Sequence, residues 1–193
     1  MSPKEELEAK KRRMRSDYVF HQEYRTRWHA LIPPANQSPL TKDRFDNDMY
    51  AHLNNTVYAM LFDSIVNSWL IAECGMDPFN RNKSTTSTTA GSSDSDSAVL
   101  QQVGIMVNSY CDYFASVSYP DVLDLGLRVA RLGSSSVTYE VGVFRRGEED
   151  VKVVGGYTHV FCARETMRPA EGGMEERVRR GLERLVVREG AKL

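Results

Sequence analysis

The densest group of reactive side chains in this 193-residue sequence is Arg44-Phe45-Asp46-Asn47-Asp48-Met49-Tyr50-Ala51-His52-Leu53-Asn54-Asn55. Two carboxylates, a histidine and an asparagine pair stand immediately before a long apolar run. A helix starting at that pair offers unpaired backbone N–H groups and the positive end of its dipole, which together can hold the oxygen of a polarised carbonyl. A carboxylate beside it can serve as general base or nucleophile. The same residues are also what a plain helix start contains, because Asp and Asn cap helices and form turns. On physics alone, capping is the stronger reading of Asp46, Asn47, Asp48 and Asn54. His52 either binds substrate and assists proton transfer or is a structural hydrogen-bonder in the turn.

The elements that must position this group can be read from apolar spacing. In Asn54 to Cys74, Val57, Leu61, Ile65 and Trp69 recur every four residues, with Tyr58, Phe62 and Val66 alongside, which predicts one long helix with a wide buried surface. Asn54 or Asn55 caps its start, and Gly75 suits a left-handed cap at its end. Four strands follow, at Val103 to Ser118, Val122 to Leu132, Val137 to Arg146 and Val151 to Ala163, separated by Pro, Gly and Ser turns. Gly155-Gly156 in the last strand predicts a bulge or a close backbone approach. The aromatic-rich stretch Tyr18 to Trp28 reads as a further strand or a docking segment. Met174 to Arg188, with Val178, Leu182, Leu185 and Val186 on one face, reads as a C-terminal amphipathic helix. One helix and a mostly antiparallel meander predict an α+β fold in which the sheet curls around the helix. Such a sheet keeps an open edge, so pairing with a second copy is expected.

The division of the chain follows. Residues 1–16 are expected to be a flexible charged leader, with Glu6 and Lys10 at helical spacing; residues 17–187 form a single domain; residues 188–193 form a tail. Within the domain lies a disordered insertion at about 80–98, where ten of the fourteen residues from Ser84 to Ser97 are Ser or Thr and nothing can fill a core. Lys and Arg total 25 against 26 Asp and Glu, a net charge of −1, which supplies no general field for nucleic acid. Apolar runs are too short to span a bilayer. Cys74, Cys111 and Cys162 lie far apart, as for reduced intracellular thiols. No metal is expected, because the four histidines show no zinc-like spacing, and no G-x-S-x-G elbow, P-loop or dinucleotide fingerprint is present.

The run Asp46-x-Asp48-x-x-x-His52-x-Asn54-Asn55-x-x-Tyr58 resembles the D-x-D-x-x-G-H-V-N-N-x-x-Y signature of the hotdog-fold thioesterases of the 4-hydroxybenzoyl-CoA and acyl-CoA thioesterase type. Glu73-Cys74-Gly75, Tyr119-Pro120-Asp121-Val122, the stretch from Gly126 to Val137 and Thr166-Met167-Arg168-Pro169 are similar to the corresponding family segments, so the resemblance covers roughly residues 39–187 outside the insertion. It implies the hotdog fold and hydrolysis of an acyl-CoA thioester, with CoA thioester as substrate and no cofactor. Asp48 would be the catalytic carboxylate, activating water or attacking the carbonyl, and the backbone amide of Asn55 would polarise that carbonyl. His52 would assist, and Tyr58 would line the acyl pocket. Arg131, Gly133, Ser134 and Ser135 occupy the strand connection where relatives hold the nucleotide phosphates. Ala51 departs from the family glycine, and its methyl restricts the close backbone approach there. A homodimer or homotetramer with the site at a subunit interface is implied. A non-catalytic hotdog module binding acyl-CoA or acyl-carrier protein is the alternative. Finally, Ala191-Lys192-Leu193 resembles the peroxisomal S-K-L address, implying an import receptor as partner and peroxisomal localisation in a eukaryote, cytoplasmic otherwise.

Overall fold

The structure, a computed structural model, describes residues 2–27, 46–48, 50–77 and 100–187. The Ser/Thr-rich insertion and Ala191-Lys192-Leu193 lie outside the described residues. Helix α1 spans Pro3–Lys11, strand β1 Phe20–Arg25, helix α2 Asn55–Cys74, strands β2 to β5 Gln102–Tyr113, Val122–Leu132, Ser136–Arg145 and Val151–Ala163, and helix α3 Glu176–Glu183. The strands form one antiparallel sheet in the order β1-β3-β4-β5-β2, so β1 and β2 are its edges. This is the expected α+β arrangement, a hotdog sheet curled around one long helix.

Helix α2 is set by its ends and its apolar surface. Asn54 has extended backbone and its Oδ1 accepts the Thr56 N–H at 3.0 Å, while Gly75 takes the left-handed conformation at φ 69°. Val57, Tyr58, Leu61, Phe62, Ile65, Val66, Trp69, Leu70 and Cys74 are all buried. Each large aliphatic or aromatic among them contributes about 1.5–3 kcal/mol of burial, an upper figure because the unfolded chain is already partly collapsed. The inner faces of β3, β4 and β5 supply the other wall through Leu123, Leu125, Leu127, Tyr139, Val141, Tyr157 and Phe161.

Helix α3 is shorter than its periodicity predicts. Val178 and Leu182 are buried and the Trp69 indole donates to the Gly181 carbonyl at 3.1 Å. Val186, however, leaves the helix and forms a parallel bridge to Val129, with the Val129 N–H donating to the Leu185 carbonyl at 2.9 Å. Backbone pairing with the sheet wins over a further helical turn.

Strand β2 also stops early. Both the Phe114 and the Ala115 N–H donate to the Lys152 carbonyl, at 2.9 and 3.0 Å, so the ladder ends before Ser118. At the glycine pair the structure shows the close approach. Gly156 has φ 152° and a Cβ there would collide with the Tyr139 carbonyl, while pairing on both sides keeps one register.

The flexible leader is replaced by a docked helix. Ser2 and Glu5 form a reciprocal capping box, and Glu6 and Lys10 pair at 3.1 Å as their spacing implies. None of the α1 residues is buried. Ion pairs hold the segment to the outer face of the sheet: Lys10 to Asp112 at 2.9 Å, Arg13 to Glu140 at 2.9 Å and Arg15 to Asp124 at 2.8 Å. Tyr18 then packs flat on Gly126 and Gly142, where any side chain would overlap its ring, and joins Phe144, Val151 and Val154 in a second apolar cluster.

Candidate functional site

Asp46, Asn47 and Asp48 lie beside the end of β1 and the start of α2. The Asp46 carboxylate is 1% exposed. It accepts from the Tyr24 hydroxyl at 3.0 Å and the Arg27 N–H at 2.6 Å, and its carbonyl accepts the Asn54 N–H at 2.6 Å. This residue ties β1 to the helix start, a positioning role. Asn47 bridges Leu53, and its Nδ2 donates to the Ala51 carbonyl at 3.1 Å.

Between these anchors, Asp48 closes the turn. Its N–H donates to the His52 carbonyl at 2.7 Å. Its Oδ1 accepts the Tyr50 N–H at 2.8 Å and the His52 N–H at 3.0 Å. Two backbone donors fix this carboxylate, and Oδ2 has no hydrogen bond among the described residues. Ala51 adopts φ 63°, the left-handed conformation in which a glycine carries no Cβ penalty and an alanine costs about 1 kcal/mol. The methyl is thus accommodated, at a local cost, in a turn that keeps its hydrogen bonds.

Asp48, His52, Asn55 and Tyr58 line one open cavity of about 320 Å³, together with Leu53 and the segment Tyr113 to Val117. Asn55 is the first residue of α2, so its amide has no intrahelical acceptor and takes none elsewhere among the described residues. Tyr58 is buried and meets Tyr113 edge to face at 5.3 Å. Burial raises the Tyr58 phenol, helped by Cys111 and Tyr113, and burial pushes Tyr113 up to about 12. Both are neutral hydroxyls at physiological pH, able to hydrogen-bond but not to act as bases.

Arg131, Gly133, Ser134 and Ser135 are not brought to this cavity. They sit at the far end of the β3–β4 hairpin, whereas the end of β1 near Asp46 pairs with the start of β3 at Val122. Eleven residues of strand separate the two regions, roughly 30 Å in one protomer. The hairpin is also more committed than its small residues suggest: the Gly133 N–H donates to the Ser136 carbonyl at 2.8 Å, and the Ser134 and Ser135 carbonyls accept from Met174 and Phe161. Arg131 and Ser134 are exposed. A cation reaches the turn from α3, because Arg179 Nη2 donates to the Gly133 carbonyl at 2.7 Å and the Ser134 carbonyl at 3.1 Å.

Two parts of the site escaped the sequence reading. The expected strand runs on to Ser118 through the Phe114 to Val117 wall, which lies beyond the end of β2; the loss of strict alternation at Phe114-Ala115 is the signal that marks it. Tyr24 and Arg27, which hold Asp46, carry no sequence signal, since their partner lies about twenty residues away in the sequence.

A curled sheet around one buried helix, with a carboxylate turn at the helix start, defines a hotdog protein. The thioesterase superfamily profile matches residues 50–152, and the chain belongs to that superfamily. The PA5185 protein of Pseudomonas aeruginosa is 34% identical, over 90% of this chain and 95% of that one, with a TM-score of 0.66. Two more distant structures share the fold. The SAV2348 protein of Staphylococcus aureus, solved in complex with CoA, is 11% identical over 89% of this chain and 82% of its own, with a TM-score of 0.59. Slr0204, a 1,4-dihydroxy-2-naphthoyl-CoA thioesterase from Synechocystis, is 12% identical over 84% and 96%, with a TM-score of 0.57. No curated protein matches the sequence. No helix among the described residues is long and apolar enough to cross a membrane, and no cluster of metal-ligating side chains is found among them.

Proposed function

We propose that the protein hydrolyses an acyl-CoA thioester to the free acid and CoA, with Asp48 as the catalytic carboxylate. The observation that carries this reading is the shared cavity in which Asp48, fixed through Oδ1, lies with the free Asn55 amide at the first turn of α2. The thioester carbonyl oxygen would accept the Asn55 N–H, in the field of the α2 N-terminus, as negative charge develops on it. Oδ2 of Asp48 would either take a proton from attacking water or itself attack the carbonyl carbon, breaking the C–S bond, releasing CoA as its thiolate and forming a mixed anhydride that water then opens to the free acid. His52, exposed at the mouth, would contact the substrate, and Tyr58 would border the acyl group.

The distance between the cavity and the Gly133 to Ser135 hairpin favours a site completed by a second copy. Pairing of two protomers along β2, whose Met106 and Val107 are exposed, would form the homodimer or the pairs of a homotetramer. CoA phosphates would then be held by the partner's hairpin with Arg131 and Arg179 nearby.

Thiol release from a panel of acyl-CoAs, by the wild type and by Asp48→Asn, tests this reading. Asp48→Asn keeps the Oδ1 acceptor and should lose at least about a hundredfold in kcat. Equal turnover would remove Asp48 from the chemistry. Acyl-CoA binding without turnover in the wild type would make the protein a binding module.

A further inference from the structure

On the α2 side of β4 and β5, Tyr139, Tyr157 and His159 form one cluster. Ring centroids are 5.4 Å apart for Tyr139 and Tyr157, 5.5 Å for Tyr139 and His159, and 4.8 Å for Tyr157 and His159. The three residues are 0%, 2% and 7% exposed. Both hydroxyls and His159 Nδ1 lack a hydrogen-bond partner among the described residues. A buried polar atom left unpaired is costly, and Phe or Leu would fill the same space without that cost. Three such atoms on neighbouring rings mark a place where a polar group from elsewhere is received.

Strand β2 connects this cluster to the Asp48 cavity. Tyr113, which lines the cavity, pairs with Val153; then Cys111 pairs with Gly155, Ser109 with Tyr157 and Met106 with His159. These β2 residues share the inner face with the cluster. Tyr113 and Met106 are each 49% exposed and Ser109 is exposed, so the inner face of β2 is open at these three positions and half-buried at Gly104 and Cys111 between and beside them. Beside it, a Cβ on Gly104 would stand 2.7 Å from His159 Nδ1, and the glycine preserves the space next to the imidazole. From Tyr113 to Ser109 is about 13 Å along the strand.

We propose that this groove takes the acyl chain, and that the chain carries an uncharged oxygen, a hydroxyl or a ketone, about 13 Å from the thioester, bound by Tyr157, Tyr139 and His159. The proposal rests on the thioesterase reading. Burial holds both phenols protonated and pushes the His159 imidazole down to about 4, so the cluster presents hydroxyl donors and a neutral ring. An alcohol, which both donates and accepts, matches this set. A terminal carboxylate would be buried with no cation in the cluster to meet it among the described residues.

The test compares dodecanoyl-CoA with 12-hydroxydodecanoyl-CoA, in kcat/KM with the wild type and in affinity with Asp48→Asn. The hydroxylated thioester should be preferred about tenfold or more, and Tyr157→Phe should bring the ratio of the two kcat/KM values to about one. Since the lost hydroxyl has no partner among the described residues, Tyr157→Phe should match or exceed the wild type in Tm. A lower Tm would mean that a fixed internal water satisfies the cluster, and would overturn the proposal. Hydrolysis of both thioesters at equal rates would overturn it and leave the thioesterase reading standing. No turnover of either, with equal affinity for both, would remove the two together.

Discussion

The two faces of the sheet are closed by different forces. The inner face is covered by α2, with nine buried residues and an apolar stripe along its whole length. The outer face is covered by α1 and the segment after it, where no α1 residue is buried, Lys10, Arg13 and Arg15 pair with carboxylates from three strands, and Tyr18 adds one small apolar cluster. Burial of apolar surface is strong and little affected by salt, whereas ion pairs at the protein surface contribute less and are partly screened. The site is built on the first kind of closure, at the start of α2, so its geometry is as firm as the core.

The largest expected effect is on the inner face. Ile65→Ala removes a fully buried side chain and should lower the unfolding free energy by about 4 kcal/mol in urea titration. Next is Glu140, a buried carboxylate beneath the N-terminal arm. Glu140 is 3% exposed and meets Arg13, the Tyr18 hydroxyl and Arg128, whose Nε lies 2.9 Å from Oε1, off the N–H axis, and whose Nη2 donates to Oε2 at 3.2 Å. Arg128→Ala should cost about 3 kcal/mol by leaving that carboxylate undercompensated. A loss below 1 kcal/mol would show that water reaches it.

A pH titration then probes the inner face again. Burial depresses His159 from 6.5 to about 4, so the folded state favours the neutral ring. The associated stability is present above pH 6.5 and is lost as pH falls towards 4, roughly 3 kcal/mol in all. His159→Phe should flatten the thermal stability profile in that window. An unchanged slope would assign it to carboxylates instead. Smallest of all is the arm. Lys10→Ala should cost less than about 1 kcal/mol, with faster amide exchange confined to α1, and raised salt should do the same to the wild type. If Lys10→Ala destabilised the protein as much as Ile65→Ala, the contrast between the two faces would be wrong.

Legibility follows the same division. Periodicity and caps place α2 to within a residue, and the turn chemistry places three of the four long strands almost to their ends. Asp48, His52, Asn55 and Tyr58 are close in sequence, and a turn and a helix start bring them to one wall of the cavity, whose other wall is Tyr113 to Val117. Arg131, Gly133, Ser134 and Ser135 share a motif with them but sit at the other end of a long hairpin. Linear order carries no measure of that separation.

What the sequence alone determined is therefore the local chemistry: the carboxylate turn, the capped helix with its apolar surface, and the strand meander, each encoded by neighbours a few residues apart. Tertiary structure alone decided that the charged N-terminal segment docks, that Arg179 covers the hairpin, that Asp46 anchors to Tyr24 and Arg27, and that Tyr139, Tyr157 and His159 meet. These contacts join residues brought together only by folding. Their energies depend on burial and distance, quantities that no local pattern of residue types contains.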